Sequence, residues 1–313
     1  MFEYILNSLS SFLTSVFTFR KFFDYIIGVI LAILDGVLVY SGTILQKKVI
    51  NEVPADAKLM TSLIKNPMWL LGFCFQVLGT ILFLLAQAFI GPTLIPGLMA
   101  SGLIILAIGS VRILKENLKL TEYMGIILMI GAIAFIGFSN MGIDINQINF
   151  LDSNLLVRIS IFTVTLFLLS LLCLILQMRN FQKGISLALF SGLMYGLSNF
   201  WISPLMAVIF KVLGGNFQIA ELSIFIVAAV ILVITNIFGI TEMQKSLRLA
   251  QASNMVPIQQ VPVQIAPPFY FLAVYLLPVD SLFSVFFLLT GIGFVIISSF
   301  LLGKRQAEIE EIQ

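Results

Sequence analysis

Residues 66–111 read NPMWLLGFCFQVLGTILFLLAQAFIGPTLIPGLMASGLIILAIGSV, and none of these 46 positions carries a charge. A bilayer crossing takes about 20 mostly apolar residues, so a run of this length holds two spans. Gly91, Pro92, Pro96 and Gly97 sit in its middle, where a chain that crosses and returns needs residues that end a helix and turn. The rest of the 313 residues is built alike: 60% hydrophobic, 10% charged, 29 Phe, no His and a mean hydropathy of +1.10. Soluble domains carry about 25% charged residues, so a globule surrounded by water is excluded.

Outward from that stretch, the distance between successive charges measures the remaining spans. Between Asp24 and Lys47 only Asp35 is charged, and further uncharged stretches run over 123–143, 159–178, 184–210, 222–241, 249–279 and 281–303. The reading is an all-α integral membrane protein with nine transmembrane helices, at about 23–47, 67–90, 92–115, 121–140, 154–178, 185–211, 219–246, 252–277 and 280–303. Ahead of them, Phe2, Ile5, Leu6, Leu9, Phe12, Leu13, Val16 and Phe17 recur at helical spacing, with Ser, Thr and Asn between. That split predicts an N-terminal amphipathic interfacial helix over 1–21, anchored by Arg20 and Lys21. A cleaved signal peptide would need a basic start and a small-residue cleavage site, and neither is evident.

Nine crossings divide the Lys and Arg residues thirteen to four between the two faces. By the positive-inside rule the C-terminus is cytoplasmic and the start of the first span lies on the outer face. The net charge of +2 gives no global field for nucleic acid. Cys74 and Cys173 lie in apolar runs and read as small hydrophobes rather than a disulfide or a metal site.

Two short matches suggest an internal repeat. Gly28-Val-Ile-Leu-Ala-Ile-Leu-Asp-Gly36 aligns with Gly184-Ile-Ser-Leu-Ala-Leu-Phe-Ser-Gly192, and Leu85-Ala-Gln-Ala88 recurs as Leu249-Ala-Gln-Ala252, at offsets of 156 and 164 residues. Four spans, then one, then four makes the second set enter from the opposite face. The expected organisation is a first repeat over 22–153, a linker helix over 154–183, a second, inverted repeat over 184–303 and a cytoplasmic tail over 304–313. Carriers built this way bind substrate near the midplane, where Pro/Gly-interrupted spans meet. Pro92 and Pro96 interrupt the third span, and Pro257, Pro262, Pro267 and Pro268 the eighth; Pro92, Pro96, Pro257 and Pro262 are the candidate hinges.

Four segments carry a family likeness: Gly42-Thr-Ile-Leu-Gln-Lys-Lys48 ending the first span, Asn66-Pro-Met-Trp-Leu-Leu-Gly72 opening the second, Ala86-Gln-Ala-Phe-Ile-Gly-Pro-Thr-Leu-Ile-Pro96 before the third, and Leu114-Lys-Glu-Asn-Leu118 after it. With Thr235-Asn236 and Ala252-Ser-Asn-Met-Val-Pro257, they resemble the drug/metabolite transporter (EamA-like) superfamily, and within it the NIPA magnesium-transporter branch, over about 23–303. The resemblance implies a carrier with two inverted repeats working by alternating access, with Mg²⁺ as cargo for the branch. Superfamily scaffolds also move small organic metabolites, so likeness of fold leaves the solute open.

Asp35 is the only carboxylate near the centre of a span, a position that costs about 2.5 to 3.5 kcal/mol on insertion scales. It reads as the functional residue and as the candidate metal ligand. The alternative is a protonated Asp hydrogen-bonded to a neighbouring helix. Its counterpart in the repeat is Ser191. Glu242 lies beside Lys245 near the end of its span and reads as half of an ion pair. Gln76, Asn199, Asn236, Gln260 and Gln264 lie within spans and either line a solute pocket or join helices by hydrogen bonds; Gln260 and Gln264 share a helix face. Tyr195 could add an aromatic wall beside Asn199, as could Trp201.

Enzymatic activity is not expected. Without His or a second intramembrane carboxylate most acid–base schemes fail, and no nucleotide loop or cofactor motif occurs. The expected partners are the lipid bilayer and a small solute or Mg²⁺, without nucleic acid; a homodimer stays open. The competing class is a non-transporting membrane partner or lipid-handling protein, whose polar residues would face helix interfaces instead of a common cavity.

Overall fold

Apolar backbone in hydrocarbon has to satisfy its own hydrogen bonds, and helices do so within one segment. The computed structural model describes residues 2–54, 57–90, 98–99, 102–139, 148–276 and 281–312, without the side chains of 2–22, 87, 88, 90 and 304–312. Among the described residues it is helical with no strand. The elements are α1 (Phe2–Glu52), α2 (Leu59–Ile64), α3 (Pro67–Ile90), α4 (Gly102–Arg112), α5 (Leu120–Phe138), α6 (Ser153–Met178), α7 (Lys183–Leu213), α8 (Ile219–Leu249), α9 (Ala252–Phe269) with a π-helical turn at Tyr270–Val274, and α10 (Leu282–Ile312). α1 passes Arg20 and Lys21 without interruption, so residues 2–21 are one continuous helix with the first candidate span, Phe23–Glu52.

Seven of these helices are long and apolar enough to cross a membrane, counting described residues only: Phe23–Glu52, Pro67–Ala86, Leu120–Phe138, Ser153–Met178, Lys183–Leu213, Ile219–Leu249 and Leu282–Gly303. Sequence spacing predicts nine. For 92–115 the observed helix is α4, of 11 residues, and Pro92 and Pro96 lie outside the described residues. For 252–277 it is α9, shorter and less apolar because four Pro and four amides occupy it. Its prolines leave the carbonyls of Ser253, Ile258, Val263 and Gln264 without the usual intrahelical donor.

Packing follows one scheme twice. α1 lies against α3 and α4, α7 lies against α8 and α9, and α5 pairs with α10. α6 packs on α7 and the π-helical turn. One apolar core draws on both halves, through Ile44, Trp69, Leu103, Met129, Leu247, Met255 and Leu302. Another is aromatic and joins α6 to the second half. There Phe162 and Phe200 stand 4.7 Å apart and Phe200 and Tyr270 5.2 Å apart between ring centroids. Outward faces are apolar too: on α6, Ile161, Phe167, Leu168 and Leu172 are all more than half exposed, as suits a wall of lipid rather than water.

Candidate functional site

Asp35 sits on α1 where that helix meets α3. Its residue is 1% exposed, and neither carboxylate oxygen has a hydrogen-bond partner among the described residues. Room for it comes from Gly79: a methyl group there would stand 2.8 Å from Asp35 Oδ1 and 2.6 Å from the Val39 side chain. The next residue, Gly36, lets α1 approach the chain at Met99, whose carbonyl would be 2.5 Å from a Cβ.

The second half repeats this arrangement at its aligned positions. Ser191, the counterpart of Asp35, faces Gly239 and donates to its carbonyl at 2.7 Å. Gly192, the counterpart of Gly36, meets the carbonyl of Gln259. Thus Asp35–Gly79 and Ser191–Gly239 correspond, as do Gly36–Met99 and Gly192–Gln259. The chemistry differs: Ser191 Oγ also accepts from Gln259 Nε2 at 2.7 Å, so its polar atoms are fully engaged.

The remaining predicted residues divide. Gln76 is half-buried and belongs to an amide chain. It donates to Thr43 Oγ1 at 3.2 Å and accepts from Gln46 Nε2 at 3.2 Å. Gln46 Oε1 in turn accepts from Gln244 at 2.9 Å, and Gln244 Oε1 from the Trp69 indole at 3.0 Å. Gln264 donates to Gln260 at 3.2 Å, which bears out their shared face, and Asn236 ties α8 to α7 through Ser198 Oγ at 2.8 Å. The Tyr195 ring covers Gly239. Asn199 is on the exposed side of α7, away from the others. Trp201 donates to Thr163 Oγ1 at 3.0 Å and packs in the aromatic core. Glu242 pairs with Lys245 at 2.6 Å, as expected.

A charged cluster joins the two halves at the junction of α8 and α9. Lys47, 6% exposed, donates through Nζ to the carbonyls of Leu247 and Ala250, the latter at 2.8 Å. The Glu116 carboxylate accepts from the backbone N–H of Ala252 at 2.6 Å and of Ser253 at 3.1 Å, and from Ser253 Oγ at 2.8 Å. One cation therefore caps the C-terminus of α8 and one anion the N-terminus of α9, each matching the partial charge of that helix end. Arg248 donates to the carbonyl of Pro54 at 2.6 Å, and Asn254 to Glu122 at 2.8 Å. Sequence reasoning did not assign these roles, yet the signal was present. Four of the six stretches that carry the family likeness, Gly42–Lys48, Asn66–Gly72, Leu114–Leu118 and Ala252–Pro257, converge here.

No cluster of three or more metal-ligating side chains occurs among the described residues, which leaves Asp35 as the lone buried carboxyl group at mid-span among them. A cavity of about 320 Å³ lies elsewhere, between α4 and α5, with a mainly apolar lining. No curated protein and no solved structure matches the chain. The family model described as magnesium transporter NIPA matches residues 23–307, which takes in all of the helices described above except the start of α1 and the end of α10. With its multi-pass apolar helices, this chain belongs to the NIPA magnesium transporter family, a family of membrane transporters.

Proposed function

We propose that the protein carries Mg²⁺ across the membrane by alternating access, with Asp35 as the anionic anchor of the cargo. The observation that carries this reading is the Asp35 carboxylate, buried at mid-span with no partner for either oxygen among the described residues. An ionised carboxylate out of water costs several kcal/mol unless a cation or a proton joins it. Mg²⁺ fits such a position because it keeps most of its waters and commonly takes only one or two carboxylates. Asp35 would then bind the ion directly or accept hydrogen bonds from its waters.

Alternating access is supported by the repeated packing. Asp35–Gly79 and Gly36–Met99 recur as Ser191–Gly239 and Gly192–Gln259, and the fourth helices of the two sets pair with each other. In this reading the set is inverted, nine helices span the membrane, and the halves rock against each other. The α8–α9 junction then forms the cytoplasmic closure. Lys47 and Glu116 hold it shut in the present conformation, and release to that side requires both caps to let go.

The test is uptake of Mg²⁺ into proteoliposomes loaded with a magnesium-sensitive dye. The unaltered chain should show uptake and Asp35→Asn none, with the variant eluting as the same monodisperse species. Uptake that survives the substitution removes Asp35 from the pathway. Flux of a small organic solute with none of Mg²⁺ would leave the carrier standing and replace the cargo.

A further inference from the structure

The cavity between α4 and α5 is not part of the Asp35 site. Ile104, Ile108, Ile127 and Ile130 line it along the helices, and Arg112 and Tyr123 line its end. Arg112 closes α4 and Tyr123 lies in the first turns of α5, so the polar end is where the chain leaves the membrane. From Ile104 to Arg112 the groove follows α4 for about 12 Å at 1.5 Å per residue. Ile104, Ile108 and Ile127 are each about half or more exposed, so the groove opens sideways toward the bilayer.

Charge is sorted across the same segment. Glu116 and Glu122 turn inward, onto the first turn of α9 and onto Asn254. Arg112, Lys115 and Lys119 are exposed and form no salt bridge among the described residues, where the ion pairs are Lys211–Glu221 and Lys245–Glu242. An apolar trough with a guanidinium and a phenol at its interfacial end matches an acyl chain ending in an anionic headgroup. Water would find no polar partner along the isoleucines, and basic residues at this level attract anionic lipid.

We propose that the α4–α5 groove binds one anionic glycerophospholipid, its acyl chain along Ile104, Ile108, Ile127 and Ile130 and its phosphate on Arg112, with Lys115 and Lys119 beside it. Native mass spectrometry of the full chain, released from micelles supplied with dioleoyl phosphatidylglycerol or dioleoyl phosphatidylcholine, reads this out. The unaltered chain should retain phosphatidylglycerol over phosphatidylcholine by about fivefold, the factor carried by one basic side chain beside an anionic headgroup. Arg112→Gln should erase that preference while leaving retention of phosphatidylcholine unchanged. Ile108→Trp, which fills the trough, should lower retention of both lipids. Lys183→Gln, on an exposed cation away from the groove, should keep the preference and serves as the control. Equal retention of the two lipids by the unaltered chain, a preference that survives Arg112→Gln, or undiminished retention in Ile108→Trp each overturns the site.

Discussion

Asp35 and Ser191 stand at the same place in two copies of one packing motif, yet among the described residues one has two unpartnered oxygens and the other is engaged on both sides. Both sit on the first helix of a set of four, beside a glycine of the second helix and one residue before a glycine that admits the third. The backbone does the same job in both halves, so the difference lies in the side chain. A hydroxyl costs little to bury once it donates and accepts. A carboxylate without partners destabilises the fold that holds it unless a cation or a proton joins it.

The largest expected effect comes from making the halves alike. Asp35→Ser should abolish Mg²⁺ uptake and at the same time raise the melting temperature in detergent, because the unpartnered anion is gone. Removing an unsatisfied buried acceptor is worth about 1–3 kcal/mol. Ser191→Asp should do the reverse to stability, placing a second anion against the Gly239 carbonyl. A variant at Asp35 that loses both transport and stability would mean that the carboxylate has a structural partner, and the contrast with Ser191 would lapse.

Next come the two glycines that make the copies comparable. A Cβ at Gly36 would meet the Met99 carbonyl and one at Gly192 the Gln259 carbonyl, and backbone atoms cannot swing aside as a side chain can. Gly36→Ala and Gly192→Ala should each destabilise by about 1–3 kcal/mol, the range for overpacking, visible in thermal melts. If one is tolerated and the other is not, the two halves do not pack by the same rule.

The part of this design that is legible in the sequence is the part set by burial in lipid. Charge spacing places seven of the nine expected spans because a charge in hydrocarbon is costly, and Asp35 stands out for the same reason. Gln260 and Gln264 fall on one face because four residues make about one turn. Asn199 is different: α7 is apolar on all sides, so periodicity cannot tell its protein face from its lipid face, and the residue lies on the exposed one. Lys47 and Glu116 escaped assignment because charges at span ends are ordinary and the positive-inside rule already accounts for a lysine there. Their partners, at Leu247–Ser253, are more than a hundred residues away.

A smaller effect should follow from that junction. Glu116→Gln keeps the size but weakens the cap on the first N–H groups of α9, a loss of about 0.5–2 kcal/mol for a capping interaction. Amide hydrogen exchange over 252–256 should speed up while that in α6 stays unchanged. Uniform acceleration through all helices would mean that Glu116 supports the whole bundle rather than the α8–α9 closure.

The smallest effect belongs to Ser191 itself. Ser191→Ala removes a donor to a carbonyl already within a helix and an acceptor for Gln259. Hydrogen bonds between membrane helices average about 0.6 kcal/mol in double-mutant cycles, so a shallow drop in melting temperature is expected, with Mg²⁺ uptake close to the unaltered rate. The two substitutions at corresponding positions therefore separate by kind. At Asp35, loss of the polar group removes transport and relieves strain; at Ser191 it removes a little stability and leaves transport alone. Loss of uptake in Ser191→Ala with the fold intact would put the hydroxyl in the cargo's path. The site would then have to be redrawn as shared between the halves, with Gln259 as its next residue.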